Sequence, residues 1–239
     1  MIPNLVVEPF NSDFVLWRCV HDGPLTRENI DVGWSDAEEL PWEALRARNL
    51  PFLTKLRETY GAYAIVARHD GQVIGHLRFY PKAVCAMSCS FGMCIQQQYP
   101  GGPADDFADE DFPPLDQIQD RTLIVHCMMS GAPIPAENKH HREGIGTRMA
   151  LCLIEWAKGK GWRAIEATAF EDLEMIYEFT GAAGRHFWEK LGFKVVATEI
   201  EPAFDQESDL VDNMREQALQ CGIDPAAVRN RYTMRLEWV

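Results

Sequence analysis

A mixed α/β fold, one mixed sheet with helices on both faces, is what the sequence predicts, and three observations carry the prediction. Runs rich in β-branched and aromatic residues fill the N-terminal half, and in the C-terminal half such runs alternate with segments of helical periodicity. Glycine or proline punctuates almost every junction. Strands before an alternation of strand and helix make one sheet covered by helices. The 239 residues, 46% hydrophobic and 25% charged, are globular in composition and long enough for one large domain at about 150 residues each. We read 1–239 as a single domain with an acidic loop insertion at 100–120 and a helical insertion at 201–231.

In chain order, FVLWRCVHDG (14–23) reads as a strand ended by a turn, and Ser35 through Tyr60 as helical, with Pro41 and Pro51 dividing it into two or three short helices. AYAIVARHDGQVIGHLRFY (62–80) is a hairpin, because His69-Asp70-Gly71 supplies turn chemistry between two strands. Residues 81–100 carry no assignment. PGGPADDFADEDFPPLDQIQD (100–120) lacks the apolar content for a core of its own and reads as a long surface loop. RTLIVHCMM (121–129) is a strand apolar enough for burial on both faces, followed by a loop. Gly144 to Lys158 is a helix, with Ile145, Met149, Cys152, Leu153 and Trp156 at helical spacing and Gly159 and Gly161 to stop it. Beyond it come a strand (162–170), a helix (172–179), a shorter helix (185–191), a strand (193–200), a helix (209–222) and a last strand (232–239).

Charge and cysteine content exclude several classes. Lys and Arg number 23 against 36 Asp and Glu, so the net charge of −13 disfavours a nucleic-acid partner and is compatible with a cationic substrate. No apolar run approaches the roughly 18 residues of a spanning helix. Glu8 interrupts any signal-like core, which leads to the expectation of a cytoplasmic protein without membrane attachment. Seven cysteines, an odd number, point to reduced thiols. Cys85, Cys89 and Cys94 match no zinc-ribbon spacing and are expected to be small hydrophobes, with no metal bound.

The informative segment is LIVHCMM, a loop, then HHREGIGTRMALCLIEW. A strand runs into a glycine-bearing turn that opens an amphipathic helix, and such a turn aims backbone N–H groups outward at the positive end of the helix dipole, where a pyrophosphate is held. Gly144 and Gly146 allow close approach of phosphates. Lacking a following Gly-Lys-Ser/Thr, the turn is no P-loop, and it has two of the three glycines of a dinucleotide fingerprint. From spacing alone, a plain strand-to-helix connection stays open.

At these residues the chain resembles the GCN5-related N-acetyltransferase (GNAT) superfamily, whose acyl-CoA motif is Gln/Arg-x-x-Gly-x-Gly/Ala at a helix start. The match is His141-Arg142-Glu143-Gly144-Ile145-Gly146, followed by Thr147. About 40 residues on, GRHFWEKLGFKVV (184–196) is similar to the family's Ala-x-x-Phe-Tyr-x-x-x-Gly-Phe segment. The resemblance spans 121–198 clearly and the chain from residue 14 in outline. It implies a sheet with a splayed parallel strand pair, acetyl-CoA as acyl donor, the backbone of Cys127, Met128 and Met129 at the thioester, and the 141–147 segment at the phosphates. Three departures stand out. His141 replaces Gln or Arg, Gly181 occupies the place of a frequent Asn that contacts CoA, and Trp188 stands where many members carry an acidic Tyr. An indole is no acid, so the general acid is unassigned; Tyr177 is the nearest tyrosine in sequence.

Two residues are candidates for the base. His126 has a suitable ordinary pKa and lies on the strand before the glycine turn, and Glu166 lies inside the apolar strand AIEATAF. Cys127 invites an acyl-cysteine reading, against which stands the inertness of most buried cysteines. The function these readings imply is transfer of an acetyl or short acyl group from CoA directly to a primary amine of a cationic small molecule or peptide. The resemblance implies that segments 35–60, 100–120 and 201–231 build the acceptor side, with Trp34, Trp42 and Tyr80 available to a cation. The alternatives are a CoA-binding or regulatory domain without turnover, and a metal or redox protein using Cys85, Cys89 and Cys94. Monomer and homodimer are equally open.

Overall fold

The computed structural model describes residues 2–18, 20, 24–31, 42–85, 108–130, 140, 143–180 and 182–238. Of these, residues 42–45, 48, 85, 178 and 179 are described in their backbone alone. The architecture is mixed α/β, in two compact units, Met1–Arg163 and Ala164–Val239.

In the first unit four strands pair antiparallel in the order β1 (Val6–Pro9), β2 (Ala64–His69), β3 (Gln72–Pro81) and β4 (Thr122–Ser130). The expected hairpin is β2–β3, and its turn holds Asp70 at φ 48° and Gly71 at φ 81°, the two successive positive values a two-residue hairpin turn requires. Every residue of β3 after Gln72 is buried. The helices are α1 (Trp42–Tyr60), α2 (Lys82–Cys85) and α3 (Ile145–Lys160). On α3, Ile145, Met149, Ala150, Leu153, Ile154 and Ala157 form the buried face. The helix runs through Gly159 and ends at Gly161, whose φ of 88° suits a glycine cap.

Three expectations for this unit are corrected. Described residues of 14–23 form no strand: the Leu16 N–H donates to the Tyr63 hydroxyl (2.8 Å), and the Arg78 guanidinium donates to the carbonyls of Leu16 and Arg18 (2.7 and 2.8 Å). Side chains thus satisfy the backbone of a buried apolar segment that would otherwise need a ladder. The first strand is instead Val6–Pro9, a short edge strand with Val6 exposed and a proline at its end, which gives little sequence signal. Pro51 does not divide α1. Its ring lies exposed within one continuous helix, while Phe52, Leu53, Leu56 and Tyr60 bury the opposite face, so packing outweighs the lost backbone bond. The described part of the acidic segment, 108–120, is docked and not a bare loop. Phe112 and Ile118 are buried, Phe112 packs on Phe52 at 5.6 Å between ring centroids, the Tyr60 hydroxyl donates to the Pro113 carbonyl (3.0 Å), and Lys55 pairs with Asp109.

In the second unit β7 (Asn230–Glu237) pairs antiparallel with both β5 (Ala164–Ala169) and β6 (Lys194–Ile200). Helices α4 (Glu174–Thr180), α5 (Arg185–Lys190) and α6 (Asp209–Cys221) fall where the periodicity placed them. Between β6 and β7, α6 and the short turns flanking it build a small core: Phe204, Val211, Met214, Ala218 and Val228 pack with Phe170, Leu173 and Ile176. Ser208 caps α6 by accepting the Val211 N–H. Among the described residues no helix is long and apolar enough to cross a membrane.

Candidate active site

The glycine turn takes the form the motif requires. Gly144 heads α3 at φ 77°, ψ 14°, and among the described residues no side chain caps the helix and no atom lies within 4 Å of where a Cβ would be added. The first bond of the ladder runs from the Arg148 N–H to the Gly144 carbonyl (3.1 Å), so the amides of Ile145, Gly146 and Thr147 precede it. Sixteen residues of aligned peptide dipoles reinforce those three donors. Glu143, Gly144 and Thr147 are exposed, whereas the Ile145 side chain is core and can offer only its amide. His141, Arg142 and Gly181 lie outside the described residues, as do Cys89, Cys94 and the side chain of Cys85. Among the described residues no group of three metal-ligating side chains occurs.

Gly75 joins the end of β4 to the start of α3. An added Cβ would lie 3.1 Å from the Met129 carbonyl oxygen, 3.4 Å from Ser130 Cα and 3.4 Å from Ile145 Cγ2. The thioester candidate Met129, its neighbour Ser130 and the first helical residue therefore converge on one point, and only a glycine leaves them their spacing. The sequence did carry a signal, since an isolated glycine inside a strand marks a close backbone approach.

A β-bulge sets the side chains of β4. Pairing with β3 steps from Arg78↔Cys127 to Phe79↔Val125, which makes His126 the extra residue. His76, Arg78 and Tyr80 alternate onto one face of β3. Both His126 and Cys127 meet that face: the His126 ring stacks on Tyr80 (centroids 5.1 Å, 28° between planes), and Cys127 Sγ lies 3.5 Å from His76 Nε2. Strict alternation would have sent the two neighbours to opposite faces. His76 is fully buried, Arg78 and Tyr80 nearly so, and His126, Cys127 and Met128 half-buried. Sequence reasoning missed His76, because nothing in β3 alone shows what a neighbouring strand brings opposite it.

The remaining candidates lie in the second unit. Glu166 is 8% exposed and accepts a 2.5 Å hydrogen bond from the guanidinium of Arg235, its direct partner across the β5–β7 ladder. Trp188 is 2% exposed, its ring 4.9 Å from those of Phe187 and Phe193, so it is a core residue of α5. Tyr177 is half-buried on α4. A polar cluster unmarked in the sequence joins buried Glu171 to the Tyr232 hydroxyl (2.6 Å) and to Arg185 (3.7 Å). Burial, then the bond to Glu171, pushes the Tyr232 phenol above its ordinary pKa.

No family model matches the sequence, and no curated relative does. Solved structures do match. The chain is similar to GNAT-family acetyltransferases. One, an acetyltransferase of the GNAT family from Streptococcus pneumoniae, is 12% identical over 98% of this chain and 100% of the other, with a TM-score of 0.49. Another, a GCN5-related N-acetyltransferase from Kribbella flavida, is 17% identical over 98% of each chain, with a TM-score of 0.45. A GNAT family acetyltransferase from Elizabethkingia anophelis with acetyl-CoA bound is 12% identical over 99% of each, with a TM-score of 0.40. Such identities and TM-scores leave the weight on this chain's own residues.

Proposed function

We propose that the protein is an acyl-CoA-dependent N-acyltransferase that moves an acetyl or short acyl group from CoA directly to a primary amine. One observation carries this reading: a sixteen-residue helix begins at a left-handed glycine whose Cβ position meets no described atom within 4 Å, held by Gly75 against the end of a bulged strand bearing His126. The 141–147 segment binds the pyrophosphate through amides, which the positive helix end favours. Backbone groups of Cys127, Met128 and Met129 hold the pantetheine arm and polarise the thioester carbonyl, because fixed amide donors aimed at the developing oxyanion are the largest catalytic contribution open to such a site.

His126 takes the proton of the incoming amine. Its half-buried ring, fixed on Tyr80, is better suited than Glu166, whose carboxylate is engaged by Arg235. Solvent protonates the departing thiolate, since the Trp188 indole is no acid. The net charge of −13 favours a cationic amine, a small molecule or a peptide.

Calorimetric titration of acetyl-CoA tests the reading, with Gly144→Ala as the variant. A Cβ there meets no described atom within 4 Å, while the φ of 77° costs an alanine about 1–2 kcal/mol, so affinity is measured on a variant shown to be folded by circular dichroism, and it falls because the methyl occupies the space the phosphates need. Equal affinity overturns the reading. The second reading, a domain that binds CoA without turnover, rests on the absence of a tyrosine at 188 and of a carboxylate in 121–129, and it predicts binding with no amine-dependent release of CoA.

A further inference from the structure

We propose that Cys127 is a nucleophilic thiol, paired with His76, that accepts an acyl group from the thioester donor when no amine is present. The inference rests on the acyl-CoA reading above and adds a covalent modification site to it.

Burial was the objection to a reactive cysteine at this position, and the geometry answers it. Cys127 is half-buried and its Sγ is 3.5 Å from Nε2 of His76, which is itself fully buried. A thiol and an imidazole within hydrogen-bonding reach are the signature of a nucleophile with its base. In the tautomer with its proton on Nδ1, Nε2 accepts from the thiol. Arg78 stands directly across the ladder from Cys127 and is 5% exposed. The bulge at His126 turns Cys127 onto the face that carries both groups, beside the proposed thioester site.

The step balances without a further reagent. The Cys127 thiol gives its proton to His76 Nε2, and the sulfur attacks the acyl carbonyl. The carbon–sulfur bond to CoA breaks as the bond to Cys127 forms, and the departing thiolate recovers the proton from His76. One thioester replaces another, so free CoA reverses the exchange. The S-acyl group then lies beside His126, where it obstructs the approach of an amine until it is removed.

The described free cysteines supply internal references. Burial, with Glu155 and Glu8 nearby, pushes the Cys152 thiol up and makes it a poor nucleophile, while Cys221 is exposed on α6 with no such pair. The experiment incubates the full chain with acetyl-CoA and no amine, then maps acetyl groups by mass spectrometry without reducing agent, alongside calorimetric titration of acetyl-CoA. We expect one acetyl group on Cys127, absent from Cys152 and Cys221, removed by excess CoA, and reduced at least tenfold in His76→Gln.

Because a substitution at a buried histidine can unfold the strand pair, a second measurement uses the unaltered protein without CoA. Cys127 should react with iodoacetamide faster than exposed Cys221. Binding of acetyl-CoA with Cys127 unmodified overturns this inference and leaves the transferase reading intact. Loss of binding altogether overturns both. Acetyl groups spread equally over Cys127 and Cys221, or slower alkylation of Cys127, overturns the activated pair.

Discussion

Gly75→Ala perturbs the one point where the end of β4 meets the start of α3. A Cβ–oxygen separation of 3.1 Å at Met129 is a few tenths of an ångström too short, and the 3.4 Å contact with Ile145 Cγ2 leaves little room to turn away. Relief must come from the Met129 carbonyl or from the helix. Overpacking a buried site costs about 1–3 kcal/mol. Against it, alanine gains about 0.4–1 kcal/mol by restricting the unfolded chain. The net is a loss of about 1 kcal/mol, read as a lower urea midpoint at unchanged slope. The shift falls on the backbone proposed to hold the donor, so acetyl-CoA affinity should drop about tenfold, equivalent to about 1.4 kcal/mol. Gly71→Ala is the control: at φ 81° in an open turn it should cost about 1–2 kcal/mol of stability and leave the affinity unchanged. Native stability with native affinity in Gly75→Ala would refute the reasoning.

His126→Gln should cut turnover about 100-fold and remove the acid limb of the pH–rate profile. Glu166→Gln should instead lose about 1.5–3 kcal/mol of stability through its bond to Arg235, with a smaller effect on turnover; urea denaturation beside steady-state rates separates the two. Phe112→Ala should cost about 3 kcal/mol or more in urea denaturation if the acidic segment is docked as described. Burial pushes the Tyr60 phenol up to about 12, so its contribution to stability is whole below about pH 10, the ordinary tyrosine value, and is lost as pH rises from there through the folded value. Tyr60→Phe should flatten that loss in thermal melts taken across the same range.

Where local chemistry decides an element, the sequence was enough. The Asp70-Gly71 turn, the apolar stripe of α3 from Ile145 to Ala157 and the Gly161 cap each follow from residues within a few positions of one another. Distant partners decide the rest. Tyr63 and Arg78 hold 14–18 out of any ladder, and the buried side of α1 carries the helix through Pro51. Gly144 was legible at the site because its turn needs a positive φ. The pairing of His76 with Cys127 was not, since one extra residue in a strand reverses the direction of every later side chain.

The most direct test of the central claim is the rate of CoA release from acetyl-CoA, followed through the free thiol with and without a panel of primary amines and polyamines. Release that rises with amine concentration and saturates, with the acetylated amine as product, is the predicted result. Acetyl-CoA bound but released at the same slow rate whatever amine is added would contradict the assignment of a transferase.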